Sequence, residues 1–235
     1  MCGRFSLIAT WQSLLDAMKA EPPAIYSKRY NIAPAQPVLL LRRDPTTGSR
    51  EFSHALWGFL PSWAGGKAMK PLINARSETA ATKPAFRAAF RRRRCLIPAT
   101  GFYEWKSEAG RRNPWYFRMH DGRLFAFAGL WETSVSPDGG ELDTCTILTT
   151  SPNDLVARIH DRMPCILPTE SWAAWLGTGE EPVGAGETGA IQSLLSPFPA
   201  DLMIGTRVSA AVNSAAAEGP DCIAPPGPET PPLPI

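Results

Sequence analysis

With 235 residues, 44% of them hydrophobic and 20% charged, the chain is long enough to bury a core as one large domain or two small ones. Its 24 Lys and Arg against 22 Asp and Glu leave a formal net charge of +2, which excludes a global field as the device that attracts a polyanion. No run of about 18 apolar residues occurs, and the opening Met-Cys-Gly-Arg-Phe-Ser-Leu is too polar for a signal peptide, so neither membrane insertion nor export is expected.

In chain order, Trp11 to Met18 carries apolar residues at helical spacing and is predicted as a short amphipathic helix. Val38 to Leu41, a continuous apolar run behind Pro37, is predicted as a buried strand. Ser77 to Arg92 is rich in alanine and charge, with Phe86 and Phe90 four apart, and reads as one helix with Pro84 near its first turn. Five β-type segments follow: Cys95–Ile97, Phe102–Trp105, Trp115–Met119, Leu124–Trp131 and Cys145–Thr149. Hairpin signals stand at Asp121-Gly122 and Asp138-Gly139-Gly140. Thr169 to Leu176 reads as a further helix, residues 177–189 as a glycine-rich surface loop, and Ile204 to Val212 as a last strand. Strands joined by hairpins, with helices between, predict an α+β fold around a curved, mainly antiparallel sheet. Residues 1–218 are expected to form a single domain, and the proline-dominated residues 219–235 a disordered tail.

The cysteines Cys2, Cys95, Cys145, Cys165 and Cys222 are odd in number and include no CxxC pair, which fits a reducing cytoplasm better than a disulfide framework. His54, His120 and His160 lack metal-ligand spacing, so no metal or other cofactor is expected. The consecutive Arg91 to Arg94, with Arg87 one turn earlier, read equally as a solvated face and as a polyanion site.

Cys2 stands apart. Removal of Met1 would leave an amine and a thiol on adjacent carbons, a pair that condenses with an aldehyde to an imine and then closes to a thiazolidine. Ordinary pKa values of roughly 8 and 8.5 put both groups near nucleophilicity at neutral pH. Glu104 lies among aromatics in Gly-Phe-Tyr-Glu-Trp-Lys, where burial would raise its pKa and let it hold a proton near neutrality; the plainer reading is an edge-strand carboxylate facing water. His160, beside Asp161 and Arg162, reads as a proton shuttle or a structural histidine. Asn74 and Arg76, taken alone, read first as a helix cap and an ion pair with Glu78. Trp57 and Trp63 flank an aromatic turn that fills a core or, if exposed, stacks on an unpaired base.

Six segments in order, Met1-Cys-Gly-Arg-Phe5, Arg29-Tyr-Asn-Ile-Ala-Pro34, Trp57-Gly-Phe-Leu-Pro-Ser-Trp63, Ile73-Asn-Ala-Arg-Ser-Glu-Thr79, Gly101-Phe-Tyr-Glu-Trp-Lys106 and Ile159-His-Asp-Arg-Met-Pro164, resemble the SOS response-associated peptidase (SRAP) family of abasic-site-processing proteins. The resemblance runs over residues 2–213. It implies a barrel-like version of the α+β fold with flanking helices, acting as a monomer on single-stranded DNA that carries abasic sites, in the cytoplasm beside the nucleoid. Cys2 would form the covalent thiazolidine with the opened sugar, with AP lyase cleavage as an accompanying activity. Asn74 would orient Cys2 and the sugar, Glu104 would manage protons at the amine and the sugar oxygen, and His160 would act as acid and base. Arg4, Arg76 and Arg162 would hold phosphates, while Pro34, Trp63 and Thr149 would shape the channel. Two competing readings stay open: a cysteine-dependent peptidase built on Cys2, His160 and Asn74, and a non-catalytic single-strand-binding module. The chain departs from the family pattern in a longer Ala64–Lys70 segment and in Ser-Ala-Ala-Ala-Glu after Asn213, where a second asparagine is usual.

Overall fold

The computed structural model describes residues 2–44, 46–64, 69–108, 110–135, 139–177, 184 and 186–227. The first strand, β1 (Phe5–Leu7), is followed by helix α1 (Trp11–Met18). Thr10 caps α1 by accepting a hydrogen bond from the Ser13 amide, Lys19 ends it in the left-handed region at φ 54°, and Leu14 and Met18, four apart, are buried. Strands β2 (Arg29–Ile32), β3 (Pro37–Arg43), β4 (Arg50–Trp57) and β5 (Asn74–Arg76) come next, with a single 3-10 turn at Ser62–Ala64 lifting Trp63. After the short helices α2 (Ser77–Ala80) and α3 (Arg87–Arg92) the chain enters β6 (Arg94–Ala99), β7 (Gly101–Glu108), β8 (Arg111–Met119), β9 (Phe125–Val135) and β10 (Glu141–Thr150). Two-residue strands β11 (Met163–Pro164) and β12 (Ile166–Leu167), helices α4 (Trp172–Leu176) and α5 (Thr188–Ser193), and β13 (Met203–Arg207) complete the order.

These strands make two sheets. One is open, in the order β13-β8-β7-β1-β2. In the other, β10-β4-β3-β6-β9 closes on itself because β9 also pairs with β10, from Val135↔Glu141 to Gly129↔Ile147. The α+β, barrel-like and mainly antiparallel expectation holds; the exceptions are the parallel pairings of β10 with β4 and β5. Alternating apolar residues explain the packing, since one face of each strand must leave water. Trp57, Leu40, Cys95, Cys145 and Ile147 are all buried in one core, and Phe5 meets Trp57 and Phe127 edge-on at 5.3 and 5.6 Å.

Several predicted elements change. Ser77–Arg92 is not one helix: it breaks between α2 and α3, because Pro84 has no amide to donate and disfavours helical geometry at Lys83. Asp121-Gly122 does not join paired strands; with Gly122 at φ 73° it hands the chain from the open sheet (β8) to the closed one (β9). The β9–β10 hairpin exists, with Asp138 itself outside the described residues. The last strand stops at Arg207, and Ala210–Asn213 forms a 3-10 turn whose start is capped by the Ser209 hydroxyl. Of the 177–189 loop, residues 178–183 and 185 lie outside the described set, Gly177 ends α4 at φ 70°, and Thr188 already opens α5. Residues 65–68 of the longer Ala64–Lys70 segment also lie outside it.

The packed chain extends beyond residue 218. Pro220–Cys222 forms a further 3-10 turn, and Cys222 is buried against a small cluster that includes Tyr103, Tyr116, Val208 and Val212. Order therefore continues past the boundary expected at Gly219, and residues 228–235 of the expected tail lie outside the described residues.

Candidate active site

The open sheet supports a cavity of about 540 Å³. Gly3 and Arg4 reach it from the start of the chain, Glu104, Trp105 and Ser107 from β7, Arg112 from β8, and His160 and Asn213 from connecting segments. β1 creates this neighbourhood. Phe5 pairs antiparallel with Phe102, and the Tyr103 amide donates to the Arg4 carbonyl at 3.0 Å, so the residues before Phe5 run beside Glu104. A larger cleft of about 700 Å³ beside α1 contains none of the expected site residues.

Glu104 is 2% exposed, and burial pushes its pKa up to about 7. The same strand alternation that sends Phe102 into the core puts Glu104 on that face, where the core meets the cavity. His160 Nε2 lies 3.9 Å from Glu104 Oε2, an electrostatic contact too long for a hydrogen bond. On the other ring nitrogen, Nδ1 accepts the Arg162 amide at 3.0 Å and also lies 2.9 Å from the Asp161 carboxylate. These two contacts require opposite protonation of Nδ1. The backbone bond is the fixed one, because Asp161 is 88% exposed and gains as much from water. Burial also lowers the pKa of His160, so the neutral ring with its proton on Nε2, toward Glu104, is the favoured form.

Cys2 is fully buried behind this wall, and its thiol lies 3.9 Å from the Arg4 carbonyl. Burial first, and the charge of Glu104 second, raise its pKa well above the ordinary thiol value. In this state it is a neutral thiol electrostatically coupled to Glu104. Asn74 does not line the cavity. It opens β5, its amide donates to the Ile73 carbonyl at 2.9 Å, and its buried Oδ1 has no hydrogen-bond partner among the described residues. That acceptor is held out of water with its capacity unused.

The expected phosphate ligands differ in availability. Arg162 is committed: it grips Glu78 through two bonds of 2.6 and 3.0 Å and donates to the Thr149 carbonyl at 2.5 Å. Glu78, expected to pair with Arg76, is thus taken by Arg162, and Arg76 is exposed. Arg4 donates to Asn31 Oδ1 at 2.7 Å and to the Val212 carbonyl at 2.8 Å. Thr149 is buried, Trp63 is 63% exposed, and Pro34 is half-buried just before Ala35, whose φ of 64° is held by a hydrogen bond from its amide to the Trp57 carbonyl.

Sequence reasoning missed Trp105, Arg112, Asn213 and Asn31. The Trp105 indole donates to Asn213 Oδ1 at 2.6 Å, and the guanidinium carbons of Arg4 and Arg112 lie 5.8 and 5.3 Å from its ring centroid. Asn31, fully buried, joins Arg4 to the C-terminal segment by donating to the carbonyls of Ser214 and Ala217 at 2.9 and 2.7 Å. The polar position in an otherwise strand-like Arg29–Ile32 was the only local signal for Asn31; the carbonyls to which it donates lie more than 180 residues away.

Comparison with known proteins fits this arrangement. The chain is 38% identical over 228 residues to the abasic site processing protein YoqW of Bacillus subtilis, covering 95% of this chain and 99% of that one. It is 32% identical over 235 residues to the abasic site processing protein YedK of Escherichia coli, covering 96% and 100%. A crystal structure of a Bacteroides thetaiotaomicron protein superposes with a TM-score of 0.82 at 24% identity over 95% of this chain and 99% of that one, a likeness of fold. The family model described as SOS response associated peptidase (SRAP) matches residues 1–215, and the chain belongs to that family.

Proposed function

We propose that this protein processes abasic sites in single-stranded DNA by covalent capture, with Cys2 as the reacting residue once Met1 is removed. The observation that carries the reading is the placement of a buried carboxyl, Glu104, with its pKa raised to about 7, 3.9 Å from a neutral His160 and electrostatically coupled to Cys2. An abasic sugar is mostly a closed ring, so an acid and a base must open it before any nucleophile finds an aldehyde. Glu104 is near half-protonation at neutral pH and serves either role. His160, with its Nε2 proton toward the same point, supplies the second.

The amine of Cys2 then adds to the aldehyde carbon and water leaves, which gives an imine. The thiol sulfur adds to the imine carbon while its proton passes to the nitrogen, closing the thiazolidine. One aldehyde and one aminothiol give one ring and one water. The high thiol pKa suits this order, because the sulfur attacks second and the nearby carboxylate can accept its proton. Elimination of the 3′ phosphate from the imine would be the lyase side reaction. A lesion without a base also enters a cavity of this size without the cost of unpairing and unstacking. A cysteine peptidase would need a thiolate beside an imidazolium, and here burial and Glu104 hold the thiol protonated.

Incubation with a single-stranded oligonucleotide carrying one abasic site, followed by a denaturing gel, tests the proposal. A shifted band that Cys2→Ala abolishes is expected, together with an intact mass lacking Met1. Equal adduct from Cys2→Ala, or full activity from a chain that keeps Met1, would overturn it.

A further inference from the structure

The arginine run singled out in the sequence is not one surface. Arg94 is buried and donates to the Phe90 and Arg91 carbonyls at 2.9 and 3.0 Å, closing the end of α3, and Arg93 pairs with Glu132 at 2.6 Å. Arg87, Arg91 and Arg92 stay exposed, as do Lys83 and Arg76 upstream. Among the described residues none of these five forms an ion pair with a carboxylate, and Glu78, two residues after Arg76, is held by Arg162 through two bonds.

The backbone aligns these cations. The Lys83 amide donates to the Thr79 carbonyl and the Arg87 amide to the Lys83 carbonyl, both at 2.9 Å, and α3 continues the path. Arg87 and Arg91 therefore stand four residues apart on one side of α3, about 6 Å along its axis, and Lys83, just before the break at Pro84, precedes Arg87 by one hydrogen-bonded turn. The inward flank is anchored: Phe86 packs on Phe59 with ring centroids 5.4 Å apart, Phe90 packs on Trp175 at 5.9 Å, and Ala89 is buried. Phe59 pairs in turn with Leu72, across the base of the segment that lifts exposed Trp63. At its upstream end the course begins from Arg76, two residues past Asn74. Exposed cations thus extend along the chain from Arg76 to Arg91 over an apolar footing.

We propose that Lys83, Arg87 and Arg91, entered from Arg76, are a track for the sugar–phosphate backbone on one side of the lesion. The proposal rests on the reading of the protein as one that acts on single-stranded DNA. With one cation per phosphate, Lys83, Arg87 and Arg91 face up to three phosphates of a strand. The modest net charge of +2 is no obstacle, because the cations are concentrated locally.

The test uses fluorescence anisotropy of the full chain on a single-stranded oligonucleotide with a reduced, non-reacting abasic analogue, titrated at several salt concentrations. Simultaneous Lys83→Gln, Arg87→Gln and Arg91→Gln substitutions should make the log–log salt slope shallower by about 2, at about 0.7 per lost phosphate contact, and weaken binding roughly tenfold or more at about 0.1 M salt. Adduct yield at saturating natural abasic DNA should match the unsubstituted chain, which also shows that the variant is folded. An unchanged slope and affinity would overturn the track while leaving Cys2 chemistry intact. Binding of anionic lipid vesicles, lost in the same variant while DNA affinity is kept, would likewise overturn it. Loss of the slope in a protein that never forms an adduct would support the track and sink the covalent reading instead.

Discussion

The closed sheet and the open sheet differ in what their side chains are asked to do. Around the barrel, every strand finds a partner on both sides and its core is apolar, with Trp57, Leu40, Cys95, Cys145 and Ile147 all wholly or almost wholly buried. The open sheet instead ends at β2, and there the chain from Ser209 to Cys222 folds across it through Asn31, Arg4 and Trp105. Closure leaves no edge and makes a rigid scaffold. An unclosed edge lets side chains from four distant parts of the sequence meet around one cavity, which is where Glu104 and His160 sit.

The largest expected effect separates the two regions with the same substitution. Trp57→Ala should cost about 3–5 kcal/mol in urea unfolding, since it removes a fully buried ring, its contact with Phe5 and its 2.8 Å bond to the Ile73 carbonyl. Trp105→Ala should cost only about 1–2 kcal/mol, the indole being partly exposed, and should weaken DNA binding instead. Equal stability losses would erase the distinction between scaffold and site.

Glu104 should leave a signature in the pH dependence of stability. Its pKa in the folded state is about 7 against an ordinary 4.5, so the folded protein binds the extra proton between those values. Stability from this group is complete below about 4.5 and declines as pH rises toward 7, by about 3 kcal/mol in total. Glu104→Gln cannot titrate and should flatten that decline, while slowing adduct formation by a factor of about 100 or more. A pH profile unaltered by the substitution would remove the buried carboxyl from the account. Asn31→Ala should cost about 2 kcal/mol, because it strips Arg4 of one partner and leaves the Ser214 and Ala217 carbonyls without a donor; differential scanning calorimetry would report it.

How much of this could be read from the chain follows the range of each interaction. α1 was legible because capping and a four-residue apolar spacing are local, and so were the five central strands. Glu104 was legible because it alternates with aromatics along β7, with buried Phe102 two residues earlier on the same face. Barrel closure was legible only through the family resemblance, since nothing in β9 alone says that it pairs with β6 on one side and β10 on the other. The break at Pro84 carries a local signal, but a proline suits a first helical turn as well as an interruption. Asn31, Asn213 and Cys222 were invisible for the same reason: each is defined by a partner on another part of the chain.

The smallest effect concerns Glu78, which stands at the rim as Glu104 stands inside, with His160, Asp161 and Arg162 between them. The Arg162 hydrogen bond holds Glu78 below the ordinary carboxylate range, the opposite direction to Glu104. A depressed carboxylate contributes stability above its unfolded value and loses it as pH falls through the folded one. The Glu78 side chain is half exposed, so screening keeps the contribution to about 0.5 kcal/mol despite two-pronged geometry. Glu78→Gln should therefore lower stability slightly at neutral pH and not at all near pH 3, by urea unfolding at both values. Because Arg162 also fixes the amide that holds His160 Nδ1, the same variant should slow adduct formation a few-fold if that strap matters. A change in stability alone, with the adduct rate intact, would show that the backbone holds His160 without help from the rim.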